Sequence, residues 1–543
     1  MKVLFLARHF TYFRNFESVI RRLAEKGHVV HLSAEKTEEF GGRDMVERLA
    51  AELPGVTVGF TPARADARGF EVATALRLAF DYFRYLDPAY DDTPAIRARA
   101  GERTPRLALA LARMPGRRML AGALRALEPA LPADAAVDAY IAEQQPDVVV
   151  LTPLIDLGSP QLDYLKSAHA ARIPTVLAVW SWDHLTSKSL IRMRPDRVFV
   201  WNPVQRAEAT GLHGVDESDI VVTGAQCFDQ WFEREPSRDR SRFCRDAGLP
   251  DDRPFVLWVC SALFKGSPSE AAFVQRWIAA VRASGDPLVR DCAILVRPHP
   301  QRMPEWRDVD LGGFDAVSVW GGANPVDVAA RADYFDSMYH ARAVVGLNTS
   351  ALIEAAIVDR PVHTIVDPEY WQNQTGTLHF QYLTDPEFGF LRVARTLDEH
   401  VGQLARSLRE GTAPENTRFV ERFVRPMSRA ERPTDRFVEA LEEAALLRPP
   451  RRLHAAAPLL WPVVTALRGA AATAWGARLL QDPSTMQEQA MRTARIAAKQ
   501  VLVKQRQAAR ARKEHEKDVR WRRKRRHDRV VRLKTLARRM LQS

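Results

Sequence analysis

The chain of 543 residues is long enough for about two to four domains, each with a core of its own. Its 46% hydrophobic and 27% charged residues are typical of a folded protein and exclude a collagen-like, globally disordered or disulfide-scaffold chain. The formal charge of +12 is localised: residues 491–543 carry 20 Lys and Arg against 4 Asp and Glu, which leaves −4 on residues 1–490. A body built as a general polyanion binder is therefore excluded.

Short apolar runs alternate with helical patterns along the first part of the chain. Lys2–Ala7 predicts a buried strand, followed by a helix from about Phe16 to Lys26 and a second strand at Val29–Ala34. Further strands are predicted at Asp147–Leu151, Thr175–Ala178, Arg197–Val200 and Ile220–Thr223, with helices such as Pro160–Ala171 and Pro203–Leu212 between them. This alternation predicts a parallel, doubly wound sheet within residues 1–235, with a helical insertion at about 63–132.

A second series of strands follows the polar stretch 233–253, which has the composition of a linker. The strands are predicted at Phe255–Cys260, Ala293–Arg297, Val317–Trp320, Ala343–Gly346 and Val362–Ile365. They predict a second Rossmann-like domain over residues 250–430, and helical segments near Asn416–Val424 and Thr434–Leu447 (the latter within 431–450) close the unit. The predicted fold class is α/β, with two tandem Rossmann-like domains and a C-terminal helical basic tail.

The C-terminal part divides into an apolar segment, 451–483, and the basic tail, 484–543. Trp461, Trp475 and the small number of charges in the first segment are typical of an interfacial membrane segment. The alternative is that the tail is a solvated helix. No uncharged apolar run reaches about 18 residues, and the run at the N-terminus is too short for a signal peptide. We expect a cytoplasmic protein with reduced cysteines, peripheral at the inner face of a bacterial membrane.

The segment Gly346–Pro361, GLNTSALIEAAIVDRP, carries the most specific pattern. It places Asn348, Thr349 and Ser350 where a strand ends and the next helix begins, and free N–H groups and hydroxyls there suit a diphosphate. Glu354 lies one turn further along the same helix face, in reach of two ribose hydroxyls. The alternative from the residues alone is a plain capped helix with an exposed glutamate.

Three other post-strand segments are predicted to face the same cleft. Arg297 and His299 of the run RPHP emerge at the carboxyl edge of the second sheet, where Arg297 is suited to hold a phosphate. Ser261 and Lys265 follow another strand of that sheet and are candidates to contact the phosphates. His379 is a candidate in a loop that closes over the donor. For each of these residues the alternative is a structural role in a turn.

Together these motifs resemble the GT-B glycosyltransferases over residues 1–447. The runs at 181–188 (SWDHLTSK), 200–209 (VWNPVQRAEA), 222–231 (VTGAQCFDQW) and 297–300 (RPHP) are similar to segments of bacterial surface-polysaccharide transferases related to CDP-glycerol glycerophosphotransferases. A more distant likeness is to non-hydrolysing UDP-sugar 2-epimerases. The resemblance implies that Gly346–Pro361 binds a nucleotide donor.

A transfer to an acceptor hydroxyl needs a base, and the sequence offers several candidates. His9 ends the first strand, in a loop where the resemblance implies a catalytic base, and its ordinary pKa suits neutral pH. Asp183 and His184 are the rivals, and Asp156 is a third. Asp308 and Asp310 form an isolated DxD pattern that is typical of solvated loop carboxylates. We expect no metal site and no cofactor, with the UDP- or CDP-linked donor as a substrate.

The leading hypothesis is a GT-B transferase that moves a sugar or a polyol phosphate to a glycan or lipid-linked acceptor in bacterial surface-polysaccharide biosynthesis. A UDP-sugar 2-epimerase on the same scaffold is the first alternative. The second is an adaptor that binds nucleic acid or membrane through its tail. Because the body is acidic, we do not expect nucleic acid as a partner. An anionic membrane surface is a candidate partner for residues 451–543.

Overall fold

The computed structural model describes residues 1–37, 41–322, 324–450 and 457–483. The predicted basic tail, 484–543, therefore lies outside the described residues. Within the described part the chain forms two parallel sheets with helices packed on both faces, and the predicted tandem α/β architecture is confirmed.

The first sheet contains seven strands, and every pairing between them is parallel. Its strands are β1 (Lys2–His9), β2 (Val29–Lys36), β3 (Val56–Phe60), β4 (Val148–Thr152), β5 (Thr175–Ala178), β6 (Arg197–Val200) and β7 (Ile220–Val222). Their order is β3-β2-β1-β4-β5-β6-β7, so the chain reverses its direction of winding between β1 and β4. The buried central parts of the inner strands, such as Val3–Ala7 of β1 and Val148–Leu151 of β4, are apolar because both faces of the sheet are covered by helices.

The second sheet contains six strands in the order β10-β9-β8-β11-β12-β13. They are β8 (Phe255–Val259), β9 (Ala293–Arg297), β10 (Val317–Val319), β11 (Ala343–Val345), β12 (Val362–Ile365) and β13 (Arg392–Ala394). Here the reversal lies between β8 and β11. In open α/β sheets, ligands bind beyond the carboxyl ends of the strands at such a reversal.

The helices follow the strands as the alternating pattern predicts. Those up to the end of the first sheet are α1 (Glu17–Glu25), α2 (Gly42–Glu52), α3 (Ala67–Arg84), α4 (Pro94–Arg103), α5 (Arg106–Ala112), α6 (Arg117–Ala130), α7 (Ala135–Gln144), α8 (Leu162–Ala171), α9 (His184–Ser187), α10 (Pro203–Gly211) and α11 (Asp229–Glu233). Those beyond it are α12 (Arg240–Asp246), α13 (Glu270–Arg282), α14 (Pro287–Arg290), α15 (Val328–Tyr339), α16 (Ala351–Ile357), α17 (Phe380–Leu383), α18 (Leu397–Glu410), α19 (Pro414–Phe419), α20 (Pro433–Ala445), α21 (Ala457–Ala471) and α22 (Ala474–Leu480). Helix α18 shows the local logic: the Thr396 hydroxyl accepts the Glu399 N–H at its start, and Gly411 adopts positive φ at its end.

The polar stretch 233–253 is not an extended linker, contrary to the sequence interpretation. It contains α12, whose Phe243 and Cys244 are fully buried in the same core as Phe255 and Phe335. Ala247 and Leu249 are buried in that core as well, whereas charged residues of the stretch such as Arg242 and Arg245 are exposed. The composition of the stretch therefore hides a helix of the second domain.

Helix α20 returns from the second domain and packs on the first. Its residues Phe437, Val438 and Leu441 share a buried cluster with Val3 and Phe5 of β1. The buried Asp229 carboxylate accepts hydrogen bonds from Arg425 and from the Thr434 N–H, both at 2.8 Å. Gly224, with φ of 79°, lets this segment approach, because a Cβ there would lie 2.6 Å from Pro433.

Helices α3 to α6 occupy the stretch predicted as a helical insertion, and α21 and α22 pack on them. Val464 of α21 is buried against Ala73 and Leu131, and Arg468 forms an ion pair with Asp66. The described part of the predicted interfacial segment, 457–483, thus contains two helices, α21 and α22, that pack on the helical insertion. Among the described residues, no helix combines the length and apolar character needed to cross a bilayer.

Candidate active site

A cavity of about 510 Å³ lies between the carboxyl edges of the two sheets. On the first domain its walls come from the loops after β1, β5, β6 and β7; on the second they come from the loops after β8, β9 and β10 and from α15 and the start of α16. Both reversal points of strand order face this space. The cavity is therefore where the topology alone predicts a ligand.

Glu354 lines the second-domain wall, one turn into α16. The Tyr334 hydroxyl donates a hydrogen bond of 2.7 Å to its carboxyl group. Burial raises the pKa of Glu354 to about 7, against the opposing effects of this hydrogen bond and the nearby charge of Arg14. The carboxyl group is thus poised between its two protonation states near neutral pH.

Thr349 and Ser350 lie beside Glu354 in the cavity wall, directly before α16. Gly346, at the end of β11, makes their approach to the sheet possible. A Cβ at Gly346 would lie 2.8 Å from the Val259 carbonyl oxygen, so no side chain fits between β8 and the start of α16. The two hydroxyls are held at the cavity by this tight packing.

Arg297 ends β9 and is buried in the same wall. Its guanidinium pairs with the Asp333 carboxylate at 2.8 Å and lies over the Tyr334 ring, 5.3 Å from the centroid. Gly321 leaves the space that this guanidinium fills, because a Cβ there would lie 2.5 Å from Arg297 Nη2. The neighbouring His299 also lines the cavity, and burial, with help from Arg14 and Arg302, lowers its pKa to about 4. His299 is therefore neutral at pH 7.

Two arginines join the domains across the cavity. Arg14, in the turn after β1, donates to the Asn324 side-chain oxygen at 2.9 Å, and Arg331 of α15 pairs with Glu17 at 2.5 Å. Burial lowers the pKa of Arg14, although Glu354 opposes that shift. The ligand space is thus shared by both domains at their point of contact.

The cavity carries an excess of positive charge. Arg14, Arg234, Arg297 and Arg331 all line it, and Glu354 has the one carboxyl among the described residues of its wall. Within the described part of the chain, neither Arg14 nor Arg234 forms an ion pair with a carboxylate. Neither guanidinium is therefore neutralised by a direct ion pair among the described residues, although Arg14 lies near the Glu354 carboxyl group, and a ligand with negative charge would stabilise both.

His9 lies on the opposite, first-domain wall at the end of β1. Its ring packs on Tyr12 at 4.4 Å between centroids, and Tyr12 meets Trp180 edge-on at 5.0 Å. Three aromatic rings thus form one side of the cavity. Imidazole at this position faces the space from the side opposite to Glu354.

Asp183 and His184, the rival candidates for the base, do not line the cavity. The Asp183 carboxylate accepts hydrogen bonds from Ser181 at 2.5 Å and Ser187 at 2.7 Å, and Lys188 lies at 3.3 Å. Although burial opposes it, Lys188 and the hydroxyls hold the pKa of Asp183 well below its usual range. Burial lowers the pKa of His184 to about 3. Both residues have the surroundings of structural groups.

Asp156 is the third candidate. It forms a close ion pair with Arg8 and lies outside the cavity wall.

Four other predicted residues lie behind or beside the cavity. Ser261 accepts the Asn348 N–H at 3.3 Å, and the Asn348 side chain donates to the Asn373 carbonyl at 2.5 Å, so both brace the loop before α16. His379 is buried at the domain contact, 3.2 Å from the Thr186 hydroxyl, and burial lowers its pKa to about 4. Lys265 is largely exposed, 3.9 Å from Glu102. Direct phosphate contact, as predicted for Ser261, Lys265 and Asn348, would require these side chains to move.

Sequence reasoning missed Arg14, Tyr334 and Arg331. Arg14 lies in the loop after β1, the strand that ends at His9, and this position at the carboxyl edge of the sheet could have identified it as a candidate. Tyr334 and Arg331 lie in α15, before the strand that leads into the Gly346–Pro361 segment, and belong to none of the motifs. Among the described residues no group of three or more His, Cys, Asp or Glu side chains is arranged to hold a metal ion. Asp310 instead accepts the Gly312 N–H at 2.8 Å.

Two Rossmann-like domains that face each other across a ligand-sized cavity, with a last helix returning to the first domain, define the GT-B architecture. No protein-family model and no curated protein sequence matches the chain. Among solved structures, the UDP-GlcNAc 2-epimerase from Methanocaldococcus jannaschii aligns with 12% identity over 82% of this chain and 100% of its own, with a TM-score of 0.47. WaaG, a glycosyltransferase involved in lipopolysaccharide biosynthesis, aligns with 12% identity over 81% and 99%, with a TM-score of 0.42.

The wall teichoic acid polymerase TagF aligns with 10% identity over 82% of this chain and 89% of its own, with a TM-score of 0.42. These scores are all below 0.5. The alignments therefore support no conclusion about activity, for which the residues of the cavity are the evidence.

Proposed function

We propose that the protein is a GT-B-type transferase that moves a sugar, or a polyol phosphate, from a nucleotide-activated donor to a glycan or lipid-linked acceptor in surface-polysaccharide assembly. The observation that carries this proposal is the charge of the cavity, where the described residues of the wall include four arginines and one carboxyl group. Arg14 and Arg234 have no carboxylate partner among the described residues. A nucleoside diphosphate supplies the negative charges that would neutralise both.

The donor would be held from both domains. Glu354 accepts hydrogen bonds from the ribose hydroxyls, while Arg297, Thr349 and Ser350 contact the diphosphate from the second domain. Arg14 adds its charge from the first domain. In support, all five residues line one cavity. UDP- and CDP-linked donors share the ribose and the diphosphate, and the proposal covers both.

His9 would act as the base that takes the proton from the acceptor hydroxyl. The acceptor oxygen then bonds to the transferred group as the bond from that group to the nucleotide breaks. Arg14 and Arg297 would stabilise the charge that develops on the departing nucleotide. The position of His9 on the wall opposite Glu354 supports this division of roles.

We further propose that the enzyme works at the cytoplasmic face of a bacterial membrane, where a lipid-linked acceptor would be found. The net charge of +16 on residues 491–543 supports this location, because anionic lipid attracts such a segment.

Titration calorimetry with UDP and CDP tests the donor site. We expect at least one nucleotide to bind, and Glu354→Gln to weaken binding about tenfold to a hundredfold, since a hydrogen bond to a charged group is lost. Glu102→Gln, which changes an exposed glutamate outside the cavity, is the matched control. Absence of binding by both nucleotides, or equal binding by Glu354→Gln and the control, would contradict the site.

Turnover tests the reaction class. Purified protein is incubated with a panel of nucleotide-linked donors, with and without glycan acceptors, and products are identified by mass spectrometry. We expect nucleotide release that depends on an acceptor and is lost in His9→Gln. Conversion of a donor into an isomer without any acceptor would show an epimerase instead.

A further inference from the structure

One layer of helices combines two distant parts of the chain. It consists of residues 94–131 and 457–483 and is called the helical layer below. In it α21 packs on α6 and α3, and α22 packs on α5 and α3. The burial of Val464 and the ion pair from Arg468 to Asp66 attach the C-terminal part to the insertion. The layer is thus a built surface of the folded protein and not a loose appendage.

This layer exposes an unusual amount of apolar surface. Six of the fourteen large apolar side chains that are exposed in the described part of the chain belong to it. Trp461 is 62% exposed, Trp475 is 75% exposed and Met119 is 82% exposed. The other three are Leu107, Met114 and Val463. Large exposed tryptophans cost solvation unless a partner covers them.

The same layer is strongly basic. Its sequence contains ten arginines against three acidic residues, Glu102, Glu128 and Asp482. Glu128 is buried and is already neutralised by Arg77 and Lys166, at 3.0 and 2.7 Å. Exposed arginines lie at positions 106, 113, 125 and 478. The layer therefore presents apolar side chains within a field of one sign.

We infer that the helical layer docks the protein on an anionic phospholipid surface. Such a surface offers negative headgroups to the arginines and, a few ångströms deeper, an apolar region for the indole rings of Trp461 and Trp475. Tryptophan prefers this boundary because its ring is apolar and its N–H is polar. A second copy of the chain is a poorer occupant, because symmetric pairing would bring like charges together.

The inference rests on the proposed membrane location and refines it. The sequence predicts membrane contact through residues 451–543 as a whole, and the inference adds the insertion helices α5 and α6 to the docking surface. It does not depend on which group the enzyme transfers, and nucleotide binding by the cavity is a separate measurement.

The test is sedimentation of the full chain with phosphatidylcholine vesicles that contain one-third phosphatidylglycerol, and with phosphatidylcholine vesicles alone. We expect binding to the anionic vesicles that falls at least tenfold in Trp461→Gln/Trp475→Gln. Arg106→Gln/Arg113→Gln is expected to weaken binding about thirty-fold at low salt. Matched controls are Trp371→Gln, at a tryptophan that is 40% exposed outside the layer, and Arg245→Gln. Both controls are expected to bind like the wild type.

Three outcomes would overturn the inference. The first is that the wild-type chain does not bind anionic vesicles. The second is that Trp461→Gln/Trp475→Gln binds them as the wild type does. The third is that the wild type forms a dimer in solution and Trp461→Gln/Trp475→Gln does not. An unchanged melting temperature and unchanged UDP or CDP binding show that each variant is folded. If vesicle binding holds while neither nucleotide binds, the proposed donor site fails and the docking surface stands.

Discussion

At the scale of single residues, the cavity is built from groups that are costly to bury. Glu354 is buried, and among the described residues Tyr334 is its hydrogen-bond donor, with Arg14 nearby. Arg14 has itself lost water, and its hydrogen bond goes to a neutral side chain, Asn324. A ligand that hydrogen-bonds to the carboxyl group and brings negative charge to the guanidinium would stabilise both groups. This pattern is typical of residues kept for binding.

The burial of Glu354 predicts a pH-dependent gain in stability on Glu354→Gln. The pKa of about 7 in the folded chain lies above the ordinary value of 4.5, so the unfolded chain releases this proton first as pH rises. The wild type therefore loses stability between about pH 4.5 and 7, and the loss is complete above that range. We expect Glu354→Gln without nucleotide to be up to about 3 kcal/mol more stable at pH 8 and nearly unchanged at pH 4.5. Urea unfolding at the two pH values measures this, and an equal effect at both would contradict the assignment.

The unpaired charge of Arg14 predicts a large contribution to donor binding. Arg14→Gln keeps the bond to Asn324 possible but removes the charge, so nucleotide affinity should fall at least tenfold. Because this arginine is buried and forms no ion pair with a carboxylate among the described residues, the free energy of unfolding should hardly fall. Calorimetry and urea unfolding of one preparation give both values. Arg245→Gln, an exposed arginine elsewhere, should change neither.

At the scale of elements, the sequence predicted every inner strand and two of the four edge strands, β7 and β10, but missed the other two edge strands, β3 and β13. Strands β1, β4 and β8 are buried on both faces, so their apolar runs are continuous and easy to recognise. Strands β3 and β13 lie at edges, are only partly buried and lack that signal. Whether the segments of β3 and β13 form strands depends on pairing with β2 and β12, and the local sequence carries no signal for that pairing.

The same distinction applies to the candidate site. Thr349, Ser350, Glu354 and Arg297 were predictable because they lie at the end of a buried strand, in the turn after it, or in the first turn of the next helix. Whether a post-strand residue faces the cavity or braces a loop depends on packing across the domains. The Ser261 hydroxyl accepts a hydrogen bond from the Asn348 N–H and so braces a loop, and the Asp183 carboxylate accepts a hydrogen bond from the Ser181 hydroxyl. Neither contact could be predicted from the local sequence.

The junction of β11 and α16 predicts a steric test at the scale of an element. Gly346→Ala would place a Cβ 2.8 Å from a backbone carbonyl oxygen, which cannot move without shifting β8. We expect a loss of about 1–3 kcal/mol and weaker nucleotide binding, because Thr349 and Ser350 would shift. Gly402→Ala is the control, since Gly402 lies within α18 with no atom within 4 Å of the added carbon. That change should stabilise the protein by about 0.5–1 kcal/mol, and similar effects of the two substitutions would contradict this account.

At the scale of the whole molecule, the chain crosses between its two domains more than once, and this sets how they are joined. Helix α20 comes last among the helices of the two-domain body, yet it completes the core under the first strand. Arg22 of α1 pairs with Asp435 of α20 at 2.7 Å, and Lys26 pairs with Glu442 at the same distance. The core of the first domain therefore includes a helix that follows the second domain in the sequence.

This arrangement predicts that a change near residue 441 will loosen the N-terminal strand. Leu441 and Leu404 are both fully buried, but Leu441 packs in the core of β1 and Leu404 packs in the core of β8. Each Leu→Ala change should cost about 2–5 kcal/mol, with the effect confined first to its own domain. Hydrogen exchange should therefore speed up in Lys2–His9 for Leu441→Ala and in Phe255–Val259 for Leu404→Ala. If Leu441→Ala instead accelerates exchange in β8 before β1, then α20 does not belong energetically to the first domain.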